Sequence, residues 1–242
     1  MEIQRRIAKV LDCAETLRTQ RRQALAQLDA LAESIFLDMF GDPVLNLMRW
    51  PDSRLGGVLR FQQYGPRFYD ETYSDEGVRI VRITDLAESG ALDFSSMPRL
   101  AVSGADRERY RLQSGDLIFA RSGATVGKTA LIHPRDPECI AGAYFITMRF
   151  TSEIEPAYAL AVLKSPAVRG IVEQRSRQAA QQNFSGPALR QLPMPVPPVY
   201  LQKRFVGRLD SVARLRSIQM EALAELDGLF ASLQHRAFRG EL

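Results

Sequence analysis

Two stretches at opposite ends of the chain match each other: QRRIAKVLDCAETLRTQRRQALAQLDALAESIFLDMF at residues 4–40 and QKRFVGRLDSVARLRSIQMEALAELDGLFASLQHRAF at residues 202–238. They align at a constant offset and without gaps. Identical pairs are spread along the whole match and include Leu11/Leu209, Asp12/Asp210, Leu17/Leu215, Arg18/Arg216, Leu28/Leu226, Asp29/Asp227 and Phe40/Phe238. The chain therefore carries two copies of one element, with unrelated sequence between them.

Both copies are predicted to be long helices, because their apolar residues recur at alternating steps of four and three and no proline interrupts them. The predicted seam comprises Ile3, Ile7, Val10, Ala14, Leu17, Ala24, Leu28, Leu31 and Ile35 in the first copy and Leu201, Phe205, Val212, Leu215, Ala222, Leu226, Leu229 and Leu233 in the second. A helix of about 36 residues is about 54 Å long and cannot bury one apolar seam against itself. Each copy needs a partner helix, in the same chain or in a second one, and heptads alone do not fix the orientation.

One polar layer interrupts the seam. Arg21 is the polar residue of the first copy, and Gln219 occupies the equivalent position in the second. Polar seam residues lower stability, but they can fix the register and the number of helices. We interpret Arg21 and Gln219 as a coiled-coil polar layer that sets the register; the alternative is a solvated gap between loosely packed helices.

Between the helices the sequence changes to short apolar runs separated by Gly, Pro, Asp and Ser. Strands are predicted at Val78–Ile83, Gly115–Ala120, Thr129–Ile132 and Tyr144–Phe150, and helices at Pro156–Leu163 and Ala167–Arg177. The prolines of LPMPVPPVY impose an extended entry to the second long helix. The predicted fold class is α+β: a long helix at residues 1–42, one mixed α/β domain at 43–198 and a long helix at 199–242.

The composition is that of a globular protein, with 45% hydrophobic and 25% charged residues. No apolar stretch approaches the length of a membrane helix, and the N-terminus is unlike a signal peptide, which predicts a cytoplasmic protein with no membrane partner. Cys13 and Cys139 lie in unrelated contexts, so we expect isolated buried thiols and no metal site.

Arginine dominates the basic residues. The net charge is only +4, but four of the 32 basic residues are lysine, which leaves 28 arginines. Arginine makes planar two-point contacts with phosphate and guanine. A GC-rich genome that favours arginine codons is the alternative explanation, so the charge permits a nucleic-acid partner without proving one.

The segment SGATVGKTAL ends like a phosphate-binding loop, because Gly127, Lys128 and Thr129 match its last positions. Ser122 stands where the first glycine belongs, and Pro134 follows too soon for the helix that such a loop requires. We therefore predict a strand, a turn and a second strand near the surface. The sequence also lacks GxSxG, HExxH and a glycine-rich cofactor loop, which predicts a chain that is not an enzyme and a partner that carries the chemistry.

Five runs, in this order and spacing, point to one family: GVRIVRITDL, YRLQSGDLIFARSGATVGKTALI, IEPAYALAVLKSP, QQNFSGPALRQLPMPVPP and LQKRF. Together they resemble the specificity subunits of type I restriction-modification systems, over essentially the whole chain. The resemblance implies a target-recognition domain that contacts DNA. It also implies conserved helices that act as a spacer and as the dock for methyltransferase subunits.

The common form of this family carries two recognition domains, whereas this chain has one between its two helices, so the resemblance implies a half-subunit. Two copies are then expected to form a homodimer through the helices and to read two half-sites; a fragment of a longer gene product is the alternative. The resemblance further implies that this chain binds no cofactor, that the methyltransferase partner uses S-adenosylmethionine, and that an ATP-dependent restriction subunit can join.

Polar residues in predicted loops are the candidate contacts with double-stranded DNA: Arg67, Tyr69, Arg121, Ser122, Lys128, Gln181, Gln182 and Asn183. Each has a plainer alternative, such as a solvated loop charge for Arg67, a surface strand residue for Lys128 and a flexible linker for the glutamine run. Arg79 and Arg82 alternate with apolar residues and are predicted on a solvated strand face. For the whole chain, the alternative function is a coiled-coil adaptor that binds protein and not DNA.

Overall fold

The computed structural model describes residues 2–67, 73–87, 89–177 and 183–239. The chain forms two compact units: a helical unit, Met1–Asp38 with Phe205–Leu242, and a central unit, Met39–Arg204. The predicted α+β class, with a long helix towards either end of the sequence, is confirmed.

In chain order the elements are α1 (Glu2–Phe40), β1 (Leu59–Tyr64), β2 (Val78–Val81), β3 (Arg99–Leu100), α2 (Gly104–Tyr110), β4 (Leu117–Ala120), β5 (Thr129–Leu131), β6 (Cys139–Ala141), β7 (Phe145–Phe150), α3 (Pro156–Lys164), α4 (Pro166–Arg177), α5 (Gly186–Arg190) and α6 (Val199–Phe238). Single turns of 3-10 helix lie at Leu55–Gly57, Ile83–Asp85 and Gly123–Thr125. In the part of the chain that is described, no helix has both the length and the apolar character needed to cross a membrane.

In the helical unit, α1 and α6 of the same chain pair with each other in opposite directions. Arg18, in the first half of α1, forms an ion pair with Asp227 in the second half of α6. Asp29, later in α1, pairs with Arg216, earlier in α6. The orientation that the heptad pattern left open is therefore antiparallel.

The buried seam between these helices differs from the predicted one at alternate positions. Leu17 is 43% exposed, whereas only 17% of the neighbouring Arg18 side chain is exposed. The guanidinium of Arg18 lies 4.3 Å from the centre of the Phe230 ring and bonds to Asp227, so the methylene stem of Arg18 is covered. The predicted seam is correct at Ala14, Phe205 and Val212, which are buried, and wrong at Val10, Leu17, Leu31, Leu215 and Leu229, which are exposed.

The inner ends of the long helices are fixed within the central unit. Helix α1 ends at Phe40 because Gly41 adopts a left-handed φ of 74°, and the Trp50 indole N–H donates to the Phe40 carbonyl at 3.0 Å. Helix α6 begins directly after Pro198. The fully buried Gln202 anchors its first turn, since it donates to the Pro197 carbonyl at 2.7 Å and accepts from the Glu155 N–H at 2.8 Å.

The central unit contains a four-stranded sheet in the order β1-β7-β4-β5 and a three-stranded sheet in the order β3-β2-β6. Neighbours in the larger sheet are antiparallel, while β2 pairs parallel with β6. The four predicted strands and the two predicted helices are confirmed, with bounds that differ by a few residues. Strands β1, β3 and β6 and helices α2 and α5 were not predicted, because elements this short or this mixed in polarity carry little periodic signal.

The core of the central unit is apolar and includes one of the two cysteines. Ile118, Phe145 and Cys139 belong to one buried cluster, and burial raises the pKa of the Cys139 thiol to about 12. The expectation of buried thiols is wrong for Cys13, which is exposed because its position lies outside the helix seam. The described residues hold no group of three or more His, Cys, Asp or Glu side chains suited to a metal ion.

A third prediction that fails concerns Arg82. Strand β2 ends at Val81, and Arg82 starts a 3-10 turn in which its Nη2 lies 2.7 Å from Oδ1 of the buried Asp85. The hydrogen bonds to Asp85 raise the pKa of the Arg82 guanidinium. Arg82 is thus a partner in a structural ion pair and does not lie on a solvated strand face.

Candidate nucleic-acid interface

Several loops leave the four-stranded sheet at one end. The register pairs Tyr64 at the end of β1 with Ile146 on β7, and Ala120 at the end of β4 with Phe145. Strand β5 begins at Thr129, opposite Phe119. The loop after β1, the loop that joins β4 to β5 and the loop before β7 therefore come together at this end.

These loops and the segment that leads into α5 form a surface that we call the basic edge. Its described residues are 64–67, 121–128, 142–144 and 183–186, which contain no Asp or Glu. Its basic side chains are Arg67, Arg121 and Lys128. Clustered positive side chains attract anions such as DNA phosphates.

The segment that resembles a phosphate loop supplies the hairpin of this edge. Strands β4 and β5 pair antiparallel, and the Ala120 N–H donates to the Lys128 carbonyl at 2.8 Å. Gly127, with a φ of 93°, closes the turn by donating to the Ala120 carbonyl at 3.0 Å. The predicted strand, turn and strand are confirmed.

Both main-chain groups of Arg121 form hydrogen bonds. Its N–H donates to the Tyr144 carbonyl at 2.9 Å, and its carbonyl accepts from the Phe184 N–H at 2.7 Å. Its guanidinium carbon lies 4.6 Å from the centre of the Tyr64 ring, a cation–π contact. The Nε atom is buried and has no hydrogen-bond partner.

Tyr64 in turn connects β1 to the loop before α5. The Tyr64 hydroxyl accepts a hydrogen bond of 2.7 Å from the Gly186 N–H. A Cβ atom at Gly186 would lie 2.8 Å from that hydroxyl oxygen, so a larger residue at this position would displace the Tyr64 hydroxyl. The ring that stacks on Arg121 is therefore itself fixed in place.

The loop from α4 to α5 reaches the same edge. Asn183 forms an isolated antiparallel bridge with Ser122, and the Phe184 ring packs 5.6 Å from that of Phe119 on β4. The structure thus brings Asn183 next to Arg121 and Ser122, which are far from it in sequence. The predicted contacts Tyr69, Gln181 and Gln182 lie outside the described residues.

An open cleft of about 750 Å³ adjoins the basic edge. Its lining includes Arg67, Tyr73 and Tyr144, and these two tyrosines are 59% and 62% exposed. Exposed aromatic and arginine side chains beside a cationic surface are typical of nucleic-acid interfaces. Neither tyrosine was among the predicted contacts, and no local pattern marks them.

Tyr64 is the most important residue that sequence reasoning left out of the site. In the sequence it stands out only as a neighbour of Arg67. A tyrosine just before a glycine and a proline at the end of an alternating run is a weak signal for an exposed strand end. Its contact with Arg121 depends on the strand order and could not be read from the sequence.

Comparison with known proteins gives a consistent result. The model of the type I restriction modification DNA specificity domain matches residues 49–227. The specificity subunit of the type I restriction enzyme EcoKI, from Escherichia coli strain K12, is 28% identical over 178 residues, which cover 70% of this chain and 38% of that protein. The EcoBI specificity subunit from Escherichia coli is 23% identical over 229 residues, 88% of this chain and 46% of that protein.

Solved structures show the same fold. A chain from a structure of type I R-M system assembly and conformational transition gives a TM-score of 0.68 at 22% identity, with 100% of this chain and 59% of that chain covered. The HsdS subunit from Thermoanaerobacter tengcongensis gives 0.61 at 21% identity, with 100% and 59% covered. The chain spans less than half the length of its two curated relatives. Since the family model matches most of its residues, the chain belongs to the family of type I restriction modification DNA specificity domains.

Proposed function

We propose that this chain reads DNA sequence on behalf of partner enzymes and carries out no reaction itself. The observation that carries the proposal is the basic edge, where Arg121 is stacked on Tyr64 and no carboxylate occurs in the four described segments. Family membership agrees with this role, because the matching model is that of a DNA specificity domain.

The basic edge supplies the two kinds of contact that sequence recognition needs. Phosphate contacts position the protein on the duplex, and contacts with base edges in the major groove identify the sequence. Lys128 and Arg67 are suited to phosphates, whereas Arg121, Ser122 and Asn183 form one compact group suited to base edges. Tyr69, Gln181 and Gln182 remain candidate contacts.

The helical unit is proposed to hold partners. Besides the seam between α1 and α6, these helices expose apolar side chains at equivalent positions of the repeat, namely Leu17/Leu215 and Leu31/Leu229. Exposed apolar stripes support packing against other helices. The proposed partners are a methyltransferase that uses S-adenosylmethionine, an ATP-dependent restriction subunit and a second copy of this chain, in the cytoplasm.

The test is a salt titration of duplex binding by the chain together with its companion methyltransferase. Binding should weaken linearly on a log–log plot, with a slope of about −0.9 for each phosphate contact. Arg121→Ala should lower the affinity. Arg60→Ala, which removes an exposed arginine from β1 outside the basic edge, is the matched control and should bind like the wild type.

An absence of duplex binding by the complex at low salt would overturn the proposal and leave the protein-binding adaptor as the function. Mapping of methylated sites in cells tests the dimer separately. A bipartite site with identical inverted halves supports two copies of this chain, whereas unlike halves require a second, different recognition domain.

A further inference from the structure

We propose that Arg121 reads a guanine of the recognised sequence with its two terminal nitrogens, and that Tyr64 is the positioning residue that holds it for this contact. The inference rests on the proposed function and specifies one contact within it. It follows from three features of the site: a fixed backbone, a fixed ring and a single accessible edge of the guanidinium.

The backbone of Arg121 cannot shift without breaking two hydrogen bonds to different segments. Its N–H is bonded to the carbonyl of Tyr144, and its carbonyl to the N–H of Phe184. Both bonds come from residues distant in sequence, so the Cα position is set by the fold and not by the local turn. Because this backbone is already ordered, binding costs less conformational entropy here than it would in a mobile loop.

The position of the guanidinium is also constrained. Its carbon lies over the Tyr64 ring, 4.6 Å from the ring centre, and the hydroxyl of that ring is bonded to the Gly186 N–H at 2.7 Å. Stacking on an aromatic face leaves the N–H groups of arginine free to point outward in one plane. The Tyr64 ring thus orients the donors of Arg121.

Only one edge of the guanidinium is available to a ligand. Nε is buried without a partner, which removes the edge formed by Nε and one terminal nitrogen. Within the described part of the chain, no carboxylate or carbonyl bonds the terminal nitrogens, and Arg121 is only partly buried. Their two parallel donors match the O6 and N7 acceptors of guanine in the major groove.

A phosphate contact is the competing assignment. Phosphates accept contacts from many directions, and flexible lysines serve equally well. A guanidinium that is held in place and has its Nε edge buried is more useful where the ligand also has a fixed geometry, as a base pair does. The geometry therefore favours the base edge.

The experiment uses the chain in complex with its methyltransferase and duplexes that carry the mapped recognition site. Arg121→Ala should reduce affinity for that site by about 10- to 100-fold and leave affinity for unrelated duplex nearly unchanged. Replacing one guanine of the site by 7-deazaguanine, which lacks N7, should weaken the wild type but not Arg121→Ala. Arg60→Ala should respond to that replacement like the wild type.

Two results would overturn the inference. One is an equal loss of affinity on all sequences, together with a salt slope smaller by about 0.9, which is the signature of a phosphate contact. The other is a uniform response of wild type and Arg121→Ala to 7-deazaguanine at every guanine. Either result leaves the proposed function intact, whereas a wild-type complex that ignores duplex DNA defeats the proposed function itself.

Tyr64→Leu tests the positioning role. It removes the stacked ring and should lower discrimination against 7-deazaguanine, while adding little in the Arg121→Ala background. Full additivity of the two substitutions would show that Tyr64 acts independently of Arg121.

A different observation, in the helical unit, carries a second inference: Arg21 and Gln219 make α1 pair with α6 and not with another α1. The ion pairs Arg18–Asp227 and Arg216–Asp29 occupy equivalent positions of the repeat. An antiparallel pair of α1 helices from two copies would form the same ion pairs. They therefore do not select the partner.

The polar layer of Arg21 and Gln219, which lies between these ion pairs, does select the partner helix. An Arg21 terminal nitrogen donates to the Gln219 side-chain oxygen at 2.6 Å. In a pair of α1 helices this position would bring Arg21 against Arg21, and like charges in a partly buried layer repel. If α6 paired with α6 of a second copy, the two α1 helices could pair only with each other, which again brings Arg21 against Arg21.

Thermal unfolding of the full chain tests this assignment. Gln219→Arg should lower the Tm by about 2–6 °C, and adding Arg21→Gln should restore most of the loss, because the layer is then rebuilt with its members exchanged. Ala224→Arg adds an arginine on an exposed face of α6 and should change little. A Tm for the exchanged variant as low as that of Gln219→Arg would overturn the inference.

Discussion

Two arginines of the central unit stack on aromatic residues of the same strand, and only one has an acidic partner. Arg149 on β7 lies over Phe61 at 5.1 Å and bonds both oxygens of the fully buried Asp116 at 2.6 and 2.7 Å. Arg121 lies over Tyr64 at 4.6 Å, with its Nε buried and unbonded. The first arginine is satisfied within the fold, whereas the second leaves donors for a ligand.

This difference separates an arginine that stabilises the fold from one that we propose to recognise DNA. The hydrogen bonds to Asp116 raise the pKa of Arg149, so both charges are committed to each other. A buried ion pair depends on both members, because removal of one leaves an uncompensated charge. An arginine without a carboxylate carries no such dependence, and its substitution should affect binding more than folding.

The largest effect on stability is expected for Asp116→Ala. It leaves the guanidinium of Arg149 without its partner and should lower the free energy of unfolding by about 3–5 kcal/mol, as measured by urea denaturation. The double variant Asp116→Leu, Arg149→Met removes both charges and should recover much of that loss. A loss below about 1 kcal/mol for Asp116→Ala would mean that the pair does not hold the sheet as described.

A smaller loss is expected for Tyr64→Phe, which keeps the ring under Arg121 but leaves the Gly186 N–H without its acceptor. An unsatisfied, part-buried N–H costs about 1–3 kcal/mol. Tyr144→Phe is the matched control, because Tyr144 is 62% exposed, and its stability should match the wild type. Equal stability of all three proteins would show that the Tyr64 hydroxyl does not anchor this loop.

The exposed pair Arg107–Glu138 should contribute less again, and its contribution should depend on pH. The hydrogen bond to Arg107 lowers the pKa of Glu138. A lowered pKa in the folded state stabilises the protein above the pKa of the unfolded state, and that contribution is lost as the pH falls through the folded value. Glu138→Gln should therefore be slightly less stable than wild type near neutrality and equal to it in acid.

A stability difference between wild type and Glu138→Gln that grows on acidification would contradict a lowered pKa of Glu138. Unfolding midpoints recorded across the acid range would reveal it. Added salt should also shrink the neutral difference, since the pair is exposed.

The smallest effect on stability is expected for Arg121→Met, which keeps much of the side-chain volume on the Tyr64 ring. Its free energy of unfolding should stay within about 0.5 kcal/mol of the wild type, while specific DNA binding by the complex falls. A loss of stability comparable to that of Asp116→Ala would show that Arg121 supports the fold in the same way as Arg149.

Much of the fold was predictable because it rests on local patterns. Long, uninterrupted heptads identify α1 and α6, and β-branched or aromatic runs identify β2, β4, β5 and β7. Arg121, Ser122 and Asn183 could be named because polar residues beside glycine turns in an arginine-rich chain are reasonable DNA contacts. Strand β6 could not be predicted, because Cys139–Ala141 is too short to show a period.

By itself, the sequence determined that the chain has two equivalent helices, a polar layer at Arg21 and Gln219, and basic residues that are mostly arginine. Only the tertiary structure decided that Arg18 and not Leu17 lies in the helix seam, because Phe230 and Asp227 on the partner helix cover the arginine. It also decided that Tyr64 meets Arg121, because β1 and β4 both pair with β7 and end at the same edge of the sheet. Such contacts depend on register between distant segments, which periodicity within a segment does not encode.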